Sequence, residues 1–530
     1  TLDWIGKDKV INHHKDVPYK VLERKYSFDE GGMHKEDIHS NNMIIHGDNL
    51  EALKSFLPQY EGKIKCIYID PPYNTGNEGW IYNDNVNDPK IKKWLGEVVG
   101  KEGEDLSRHD KWLCMMYPRL VLLQKLLAED GAIFISIDDN EHANLLLVCN
   151  EIFGSNNFIQ DIIWNKRVSP ARDAKFFSTD HEYILVYSKN KESLTTHFLP
   201  RTEKNNSYYK NPDNDPRGPW NSAAYTCNKS RDERPNLYYP ITNPYTGEKI
   251  FPKESAVWAY SEETYQQHVR DNLLYWGVNG EAKQPRKKAF LSEVGDVVPR
   301  SVWSHSDVGS TQKATMENNT IFNMRAFSYP KVSTLVERII QIASDKDSIV
   351  LDSFAGSGTT AHAVLNMNKS DGGNRKFILV EMGDYADTIT AERVKRVING
   401  YGEGKNAVEG TGGNFSYYEL GNPLFMQDGT INDEVDITEV RKYVWYTETN
   451  GIEYKEDIQE KYFLGSYNDT AYYFYYEKDR VTILDYEFLT SVHKKEQTYV
   501  MYADSCALSD SDLQKWNITF KKIPRDIEHI

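Results

Sequence analysis

Cysteine is scarce. The 530 residues hold five, Cys66, Cys114, Cys149, Cys227 and Cys506, and no two stand at a short metal-binding spacing. That excludes a disulfide scaffold, leaves no metal site to expect, and suits reduced core residues of a cytoplasmic protein. No apolar run approaches the roughly 18 residues that a membrane crossing takes. The opening Thr1-Leu2-Asp3-Trp4 lacks the basic-plus-apolar pattern of an export signal, so a soluble, unexported chain without a membrane partner is expected. No internal repeat is present. Positive charge is also short, with 63 Lys and Arg against 79 Asp and Glu and a formal charge of −16.

That deficit argues against a nucleic-acid partner, since phosphate contacts need cations. Its distribution weakens the objection: residues 161–330 hold 23 Lys and Arg against 20 Asp and Glu, whereas 401–530 hold 13 against 24. The middle can present a basic groove, and the acidic tail suits a protein partner.

Residues 1–40 are polar and without periodicity, an expected irregular arm. Met43 to Asp48 then predicts a strand ending in an acid, and Leu50 to Leu57 a helix capped by Asn49 and closed by Pro58. The apolar run Ile64–Ile69 predicts a buried strand broken off by Asp70-Pro71-Pro72-Tyr73. A polar, aromatic stretch with Trp80, Tyr82, Asp84 and Asn85 follows, a loop expected to fold over a ligand. Lys111 to Ala128 predicts a helix with a kink or restart at Pro118, and strand-helix alternation runs to about Ser188. Between 190 and 315 the pattern breaks into Pro, Asn, Tyr, Trp and charge, which predicts an inserted domain. Alternation then resumes: a helix from Val332, a strand to Leu351, a glycine-rich turn, a helix, a strand ending in Glu381 and a helix stopped by Gly400. Past Gly402 the chain is acidic and tyrosine-rich, a separate small domain of α+β character.

Two stretches carry chemistry. At the carboxyl end of a strand, where open α/β sheets bind ligands, Asp70-Pro71-Pro72-Tyr73 offers a carboxylate, two carbonyls and an aromatic face, a grip for a flat, amino-bearing ring. Phe354-Ala355-Gly356-Ser357-Gly358, between a strand and a helix, lets backbone approach a ligand and aims free N–H groups at it. It lacks the spacing and lysine of a phosphate-binding loop and the third glycine of the dinucleotide fingerprint. A nucleoside-type cofactor and a purely structural turn both remain open; Glu381, an acid at the next strand end that could accept both hydroxyls of a ribose, favours the first.

Together these motifs resemble the two signatures of amino-group DNA methyltransferases that use S-adenosylmethionine, in the permuted order of the β class. More closely, residues 70–76, Arg108-His109-Asp110-Lys111-Trp112-Leu113, Met115 to Leu120 and Ile135 to Glu141 resemble the modification (Mod) subunit of type III restriction-modification systems. One departure stands at Lys331-Val332, where the family's helix usually begins Lys-Pro.

The resemblance implies a circularly permuted, Rossmann-like S-adenosylmethionine-dependent methyltransferase core. Its expected divisions are an arm at 1–40, core at 41–189 and 316–402, a target recognition domain at 190–315, and a C-terminal domain at 403–530 for dimer or partner contacts. Asp70, Pro71, Pro72 and Tyr73 would be catalytic. Asp48, Asp70, Lys331, Asp352, Phe354, Ala355, Gly356, Ser357, Gly358, Thr359, Thr360 and Glu381 would hold the cofactor. Asn74, Thr75, Arg108, Arg167, Arg172, Lys175, Arg286, Lys287 and Lys288 are candidate DNA contacts. An exocyclic amino group is a poor nucleophile because its lone pair is delocalised. Hydrogen bonds from its N–H groups to the Asp70 carboxylate and the Pro71 carbonyl would make that pair available, with Tyr73 stacked on a base flipped out of the duplex. The expected partners are double-stranded DNA, a second copy as homodimer and a Res helicase-nuclease. The alternatives are an orphan methyltransferase, acting on adenine N6 or cytosine N4, and a non-catalytic DNA-binding specificity subunit.

Overall fold

The computed structural model describes residues 2–75, 108–172, 174–449, 452, 454–457 and 460–528. The loop with Gly76, Trp80, Tyr82, Asp84 and Asn85 lies outside the described residues. Contacts divide the chain into two compact units, one of 1–197 with 300–530 and one of 198–299. No helix among the described residues is long and apolar enough to cross a membrane.

The larger unit is built on one sheet. Its strands are β1 (Lys20–Asp29), β2 (Gly32–His34), β3 (Met43–His46), β4 (Ile64–Ile69), β5 (Leu127–Ile137), β6 (Phe158–Asn165), β7 (His181–Ser188), β8 (Val302–Trp303), β9 (Ile349–Asp352), β10 (Lys376–Glu381) and β11 (Asn414–Pro423). They lie in the order β8-β6-β7-β5-β4-β9-β10-β3-β11-β1-β2. The run from β5 to β11 is parallel. β7 is antiparallel to both β5 and β6. Parallel strands need both faces covered, and all six residues of β4 are buried accordingly.

The cover comes from α1 (Asn49–Tyr60), α2 (Arg108–Leu126), α3 (His142–Cys149), α4 (Thr311–Phe322), α5 (Ser333–Ala343), α6 (Thr359–Asp371) and α7 (Glu392–Asn399). Leu53 and Phe56 of α1, Trp112 and Leu120 of α2, and Ile67, Ile133, Leu351 and Ile378 of the strands share one core. β4 and β9, far apart in sequence, are neighbours with Leu351 opposite Ile67. Their carboxyl ends therefore open into one crevice, the place where an α/β sheet takes its ligand.

Several local expectations are corrected. Residues 20–34 form β1 and β2 rather than an irregular arm; Tyr26 stacks on Tyr417 at 5.0 Å and Phe28 on Phe415 at 5.8 Å, so the pairing buries aromatic faces that show no simple alternation. The cap of α1 is Asp48, not Asn49: its Oδ1 accepts the Leu50 and Glu51 N–H groups at 2.8 and 3.3 Å. Pro58 and Pro118 lie inside α1 and α2 without ending them, because tertiary packing holds the helices across the lost hydrogen bond. The segment before Ser188 is the β6–β7 hairpin, not a strand-helix step. β11 belongs to the main sheet; only beyond it does the tail build its own core, on the four-stranded sheet Phe463–Tyr467, Thr470–Phe474, Thr498–Ala503, Ile518–Lys522 and the helix Ile437–Thr449.

The unit 198–299 closes around Tyr225, Tyr239, Ile241, Trp258, Tyr265 and Trp276. Its helix Glu262–Arg270 starts on Ser261, whose hydroxyl accepts the Thr264 N–H at 3.3 Å. Ser261→Ala is expected to lower the stability of this unit by about 1 kcal/mol, read by thermal unfolding of the full chain. Lys288, expected to meet DNA, is 1% exposed and pairs with Asp213 at 2.5 Å and Asp215 at 2.8 Å. It alternates inward on its strand and is spent on a buried ion cluster.

Candidate active site

Asp70 ends β4, and four charged or hydroxyl-bearing side chains converge there. The Lys331 ammonium donates to both Asp70 oxygens and to the Tyr73 hydroxyl, each at 2.8 Å. The Tyr73 hydroxyl has one proton and two carboxylate acceptors in reach, Asp70 Oδ1 at 2.8 Å and Glu182 Oε2 at 3.1 Å. Glu182 also faces Lys331 at 3.4 Å and accepts from Lys166 at 2.9 Å. Two carboxylates thus share two ammonium groups. Burial pushes the Asp70 carboxyl above its ordinary value, with Lys331 pulling it back only in part. Burial acts upward on Glu182 too, but Lys331 and Lys166 together hold it below the usual carboxylate range. Environments that drive two acids apart in this way make Asp70 the more basic of the pair.

A cavity of about 600 Å³ opens over this cluster, lined among others by Asp70, Pro71, Tyr73, Thr75, Lys166, Arg167, Glu182 and Lys331. That volume suits a ligand the size of a nucleoside. Pro72 faces away from it. Its carbonyl accepts from the Trp112 indole at 2.6 Å, so one of the two carbonyls that the sequence offers is tied to α2 after all. Asn74 is 1% exposed and donates to the Arg108 carbonyl at 3.1 Å and to Glu141, which makes it an internal brace rather than a DNA contact.

The glycine turn borders a narrower cleft lined by Asp70, Lys331, Asp352, Phe354, Ala355, Gly356, Ser357, Thr359 and Thr360, and also by Phe327 and Tyr329. Gly356 and Gly358 have φ of +53° and +82°. At Gly358 a Cβ would also stand 2.9 Å from the Thr390 carbonyl oxygen, so both conformation and space require glycine. The turn is held from behind. Arg393 of α7, fully buried, donates to Ser357 at 2.9 Å and Thr359 at 2.8 Å, to Glu317 of α4 at 3.1 Å, and to His362 at 3.1 Å. Burial and the Arg393 charge lower His362 to about 4, so the imidazole is neutral and can accept that bond.

Glu381 ends β10 and accepts the Gly356 and Gly383 N–H groups at 2.7 and 2.8 Å. Asp352 accepts from Phe354 N–H at 3.0 Å and Thr360 hydroxyl at 2.5 Å. Asp48, at the end of β3, pairs with Arg119 at 3.2 Å; Arg119 bonds Asn49 at 2.5 Å, and Asn49 donates to the Ser353 carbonyl at 3.0 Å. A polar chain therefore ties Asp48 to the turn.

Burial raises both Asp352 and Glu381 to about 7, against the hydrogen bonds that favour their anions. In the unfolded chain such carboxyls titrate near about 4. The folded protein binds these protons more tightly, so the stability they contribute is complete below the unfolded value and is lost as pH rises through about 7. The melting temperature of the ligand-free protein is expected to fall between pH about 5 and 7.5 from this source. Glu381→Gln should make that fall shallower, as thermal scans of both proteins at several pH values would show.

Of the remaining DNA candidates, Arg167, Arg172 and Lys175 lie in the connection between β6 and β7, and Arg286 and Lys287 in the unit 198–299. Arg108, Arg167 and Arg172 are exposed. Lys175 lies 5.3 Å from the Phe176 ring. Arg286 is bonded to Ser222 at 2.9 Å, and Lys287 lies 4.9 Å from the Tyr260 ring. Glu182, Lys166 and Arg393 went unnoticed in the sequence. The signal for Glu182 is a carboxylate directly before the apolar run Tyr183 to Tyr187.

Comparison with known proteins comes to the same region. The model of a family described as DNA methylase matches residues 64–392. The chain is 34% identical over 424 residues to the type III restriction-modification enzyme StyLTI Mod subunit of Salmonella typhimurium, covering 75% of this chain and 62% of that protein. It is 32% identical to the EcoPI Mod subunit of Escherichia phage P1, covering 72% and 63%. The type II methyltransferase M.KpnI of Klebsiella pneumoniae is 33% identical, covering 64% of this chain and 81% of that protein. The chain thus spans less than two thirds of the length of these Mod subunits.

Proposed function

Because this chain belongs to the DNA methylase family, we propose that it is a site-specific DNA methyltransferase that moves a methyl group from S-adenosylmethionine to the N6 amino group of an adenine flipped from double-stranded DNA. The observation that carries this reading is the meeting of Asp70, at the end of β4, with the glycine turn after β9, so that one crevice serves two ligands.

The cleft encloses only about 20 Å³ and would have to widen, but its lining matches the cofactor chemically. Its charged lining is Asp70, Lys331 and Asp352, beside the aromatic rings of Tyr68, Phe327, Tyr329 and Phe354. Such a set suits a cationic nucleoside rather than a phosphate. Asp48, Asp352, Phe354 to Thr360, Glu381 and Lys331 would hold it. When bound, the cofactor supplies an electrophilic methyl group on a sulfonium.

The chain's own residues prepare the amino group. Asp70 and the Pro71 carbonyl would take its two N–H groups, and Tyr73 would lie along the base. With the Lys331 ammonium on both oxygens and the Tyr73 hydroxyl on one, Asp70 has little acceptor strength to spare for the amino group. Glu182, already 3.4 Å from that ammonium and held as an anion, is the carboxylate to which Lys331 would shift. The nitrogen that gains a methyl carbon must release one proton, and Asp70, the more basic acid of the pair, would accept it.

The unit 198–299 would read the target sequence through the major groove, where each base pair shows a distinct donor and acceptor pattern. Similarity to Mod subunits supports a place in a cytoplasmic type III restriction-modification enzyme, with a second copy and a Res helicase-nuclease as partners. Similarity to M.KpnI favours a stand-alone methyltransferase as the second reading; copurification with a nuclease subunit would separate the two. The test of the activity is incubation with methyl-labelled S-adenosylmethionine and mixed-sequence duplex DNA. Label should appear in N6-methyladenine, and its absence from DNA would overturn the reading.

A further inference from the structure

The connection between β6 and β7, described at residues 166–172 and 174–180, displays two neighbouring phenylalanines to solvent. Phe176 is 81% exposed and Phe177 is 91% exposed. Neither packs into a core, yet the loop that carries them is built. The N–H groups of Lys166 and Arg167 donate to the Asp180 carbonyl at 2.8 and 3.4 Å and close its neck. Halfway along, the Ala171 N–H donates to the Ser178 hydroxyl at 2.7 Å, which donates to Asp180 Oδ1 at 2.5 Å. The strands on either side are paired to the last residue, Asn165 opposite His181.

This loop leaves directly from the active site. Lys166 bonds Glu182, and Arg167, Val168 and Ser169 line the same cavity as Asp70 and Tyr73. Arg172 is exposed and Lys175 lies 5.3 Å from the Phe176 ring. On a chain of formal charge −16, a tied loop that carries two exposed aromatic rings together with the cations Arg167, Arg172 and Lys175 is complementary to a polyanion with stacked bases.

We infer that Phe176 and Phe177 form a wedge that enters the base stack of duplex DNA beside the target base and holds the gap open while that base occupies the cavity. The inference rests on the methyltransferase reading above. Apolar side chains that enter a base step replace the stacking it loses, and so reduce what extruding a base costs. The flanking cations would hold the phosphates on either side. The two rings are solvent-exposed, so removing them leaves the folded core untouched.

The test uses the full chain and a duplex whose target site has been located by sequencing methylated DNA. In Phe176→Ala/Phe177→Ala, methylation of the fully paired duplex should slow by about tenfold or more, whereas a duplex with an abasic site opposite the target should react within about twofold of wild type, because the base is already loosened. Emission from 2-aminopurine at the target position should fall in parallel. Phe176→Tyr/Phe177→Tyr should retain both. Methylation of paired duplex at the wild-type rate by the alanine variant, or equal slowing on both substrates, would overturn the wedge. Wild-type protein that methylates neither duplex would instead overturn the functional reading on which it rests.

Discussion

Asp70→Ala is expected to reduce methyl transfer by about two to three orders of magnitude, the range seen when one hydrogen-bonding group is removed from a reacting centre. The carboxylate is the acceptor that no neighbour replaces. Glu182 faces the same cavity, but Lys331 and Lys166 hold its oxygens and keep it a weak base. The fold should survive, because Lys331 retains the Tyr73 hydroxyl and Glu182 when Asp70 is removed. Asp70→Asn separates two roles of the group: it keeps one acceptor oxygen but cannot take the proton. Single-turnover transfer with labelled cofactor, with DNA affinity measured alongside, checks the result. Undiminished transfer in Asp70→Ala would sink the mechanism. Glu182→Gln tests the ammonium shift separately, since it leaves Asp70 in place and removes the charge to which Lys331 would move.

Arg393→Ala should have the largest effect on stability. The guanidinium is fully buried and bonds Ser357, Thr359, Glu317 and His362, so its removal leaves Glu317 without its cation and unties the glycine turn. Breaking a buried ion pair from one side costs about 3–5 kcal/mol. Cofactor affinity should fall with it, because the conformation of Ser357 and Thr359 is no longer enforced. Arg393→Lys is the informative companion. It keeps the charge but not the fork that spans two hydroxyls and a carboxylate, so most of the stability should return without the affinity. Thermal unfolding and equilibrium binding of labelled S-adenosylmethionine, measured on both variants, read the two effects apart.

The parts of the site legible in sequence are those whose function is local. Asp70 to Tyr73 and Phe354 to Gly358 are contiguous stretches, each ending a strand and each requiring a backbone that few residue types can take. Their chemistry is carried by residue type and order. The α/β core was legible because strands buried on both faces read as apolar runs and their helices as periodic ones. What stayed hidden depends on distant partners. Glu182 starts an antiparallel strand, and only the sheet brings it to Tyr73. Arg393 sits on an amphipathic helix where a basic residue ordinarily faces water; only the packing of α4 and α6 around it shows its role. Lys288 resembled a surface cation for the same reason, its two carboxylates lying some seventy positions back in the chain. β1 was missed because its partner β11 is nearly four hundred residues away.

The pairing of β4 with β9 makes the sheet a measuring device. Leu351 is fixed opposite Ile67; Asp352 is the next residue on its strand and Asp70 is the third position past Ile67, so the register of the two strands sets the spacing between the acids. A slip of one residue would shift one acid by about 3.3 Å and turn it to the opposite face. Substitutions at Cys66, Ile67, Val350 or Leu351, none of which lines the cavity or the cleft, are therefore errors in calibration: they would misplace the two halves of the reaction before they unfolded the protein.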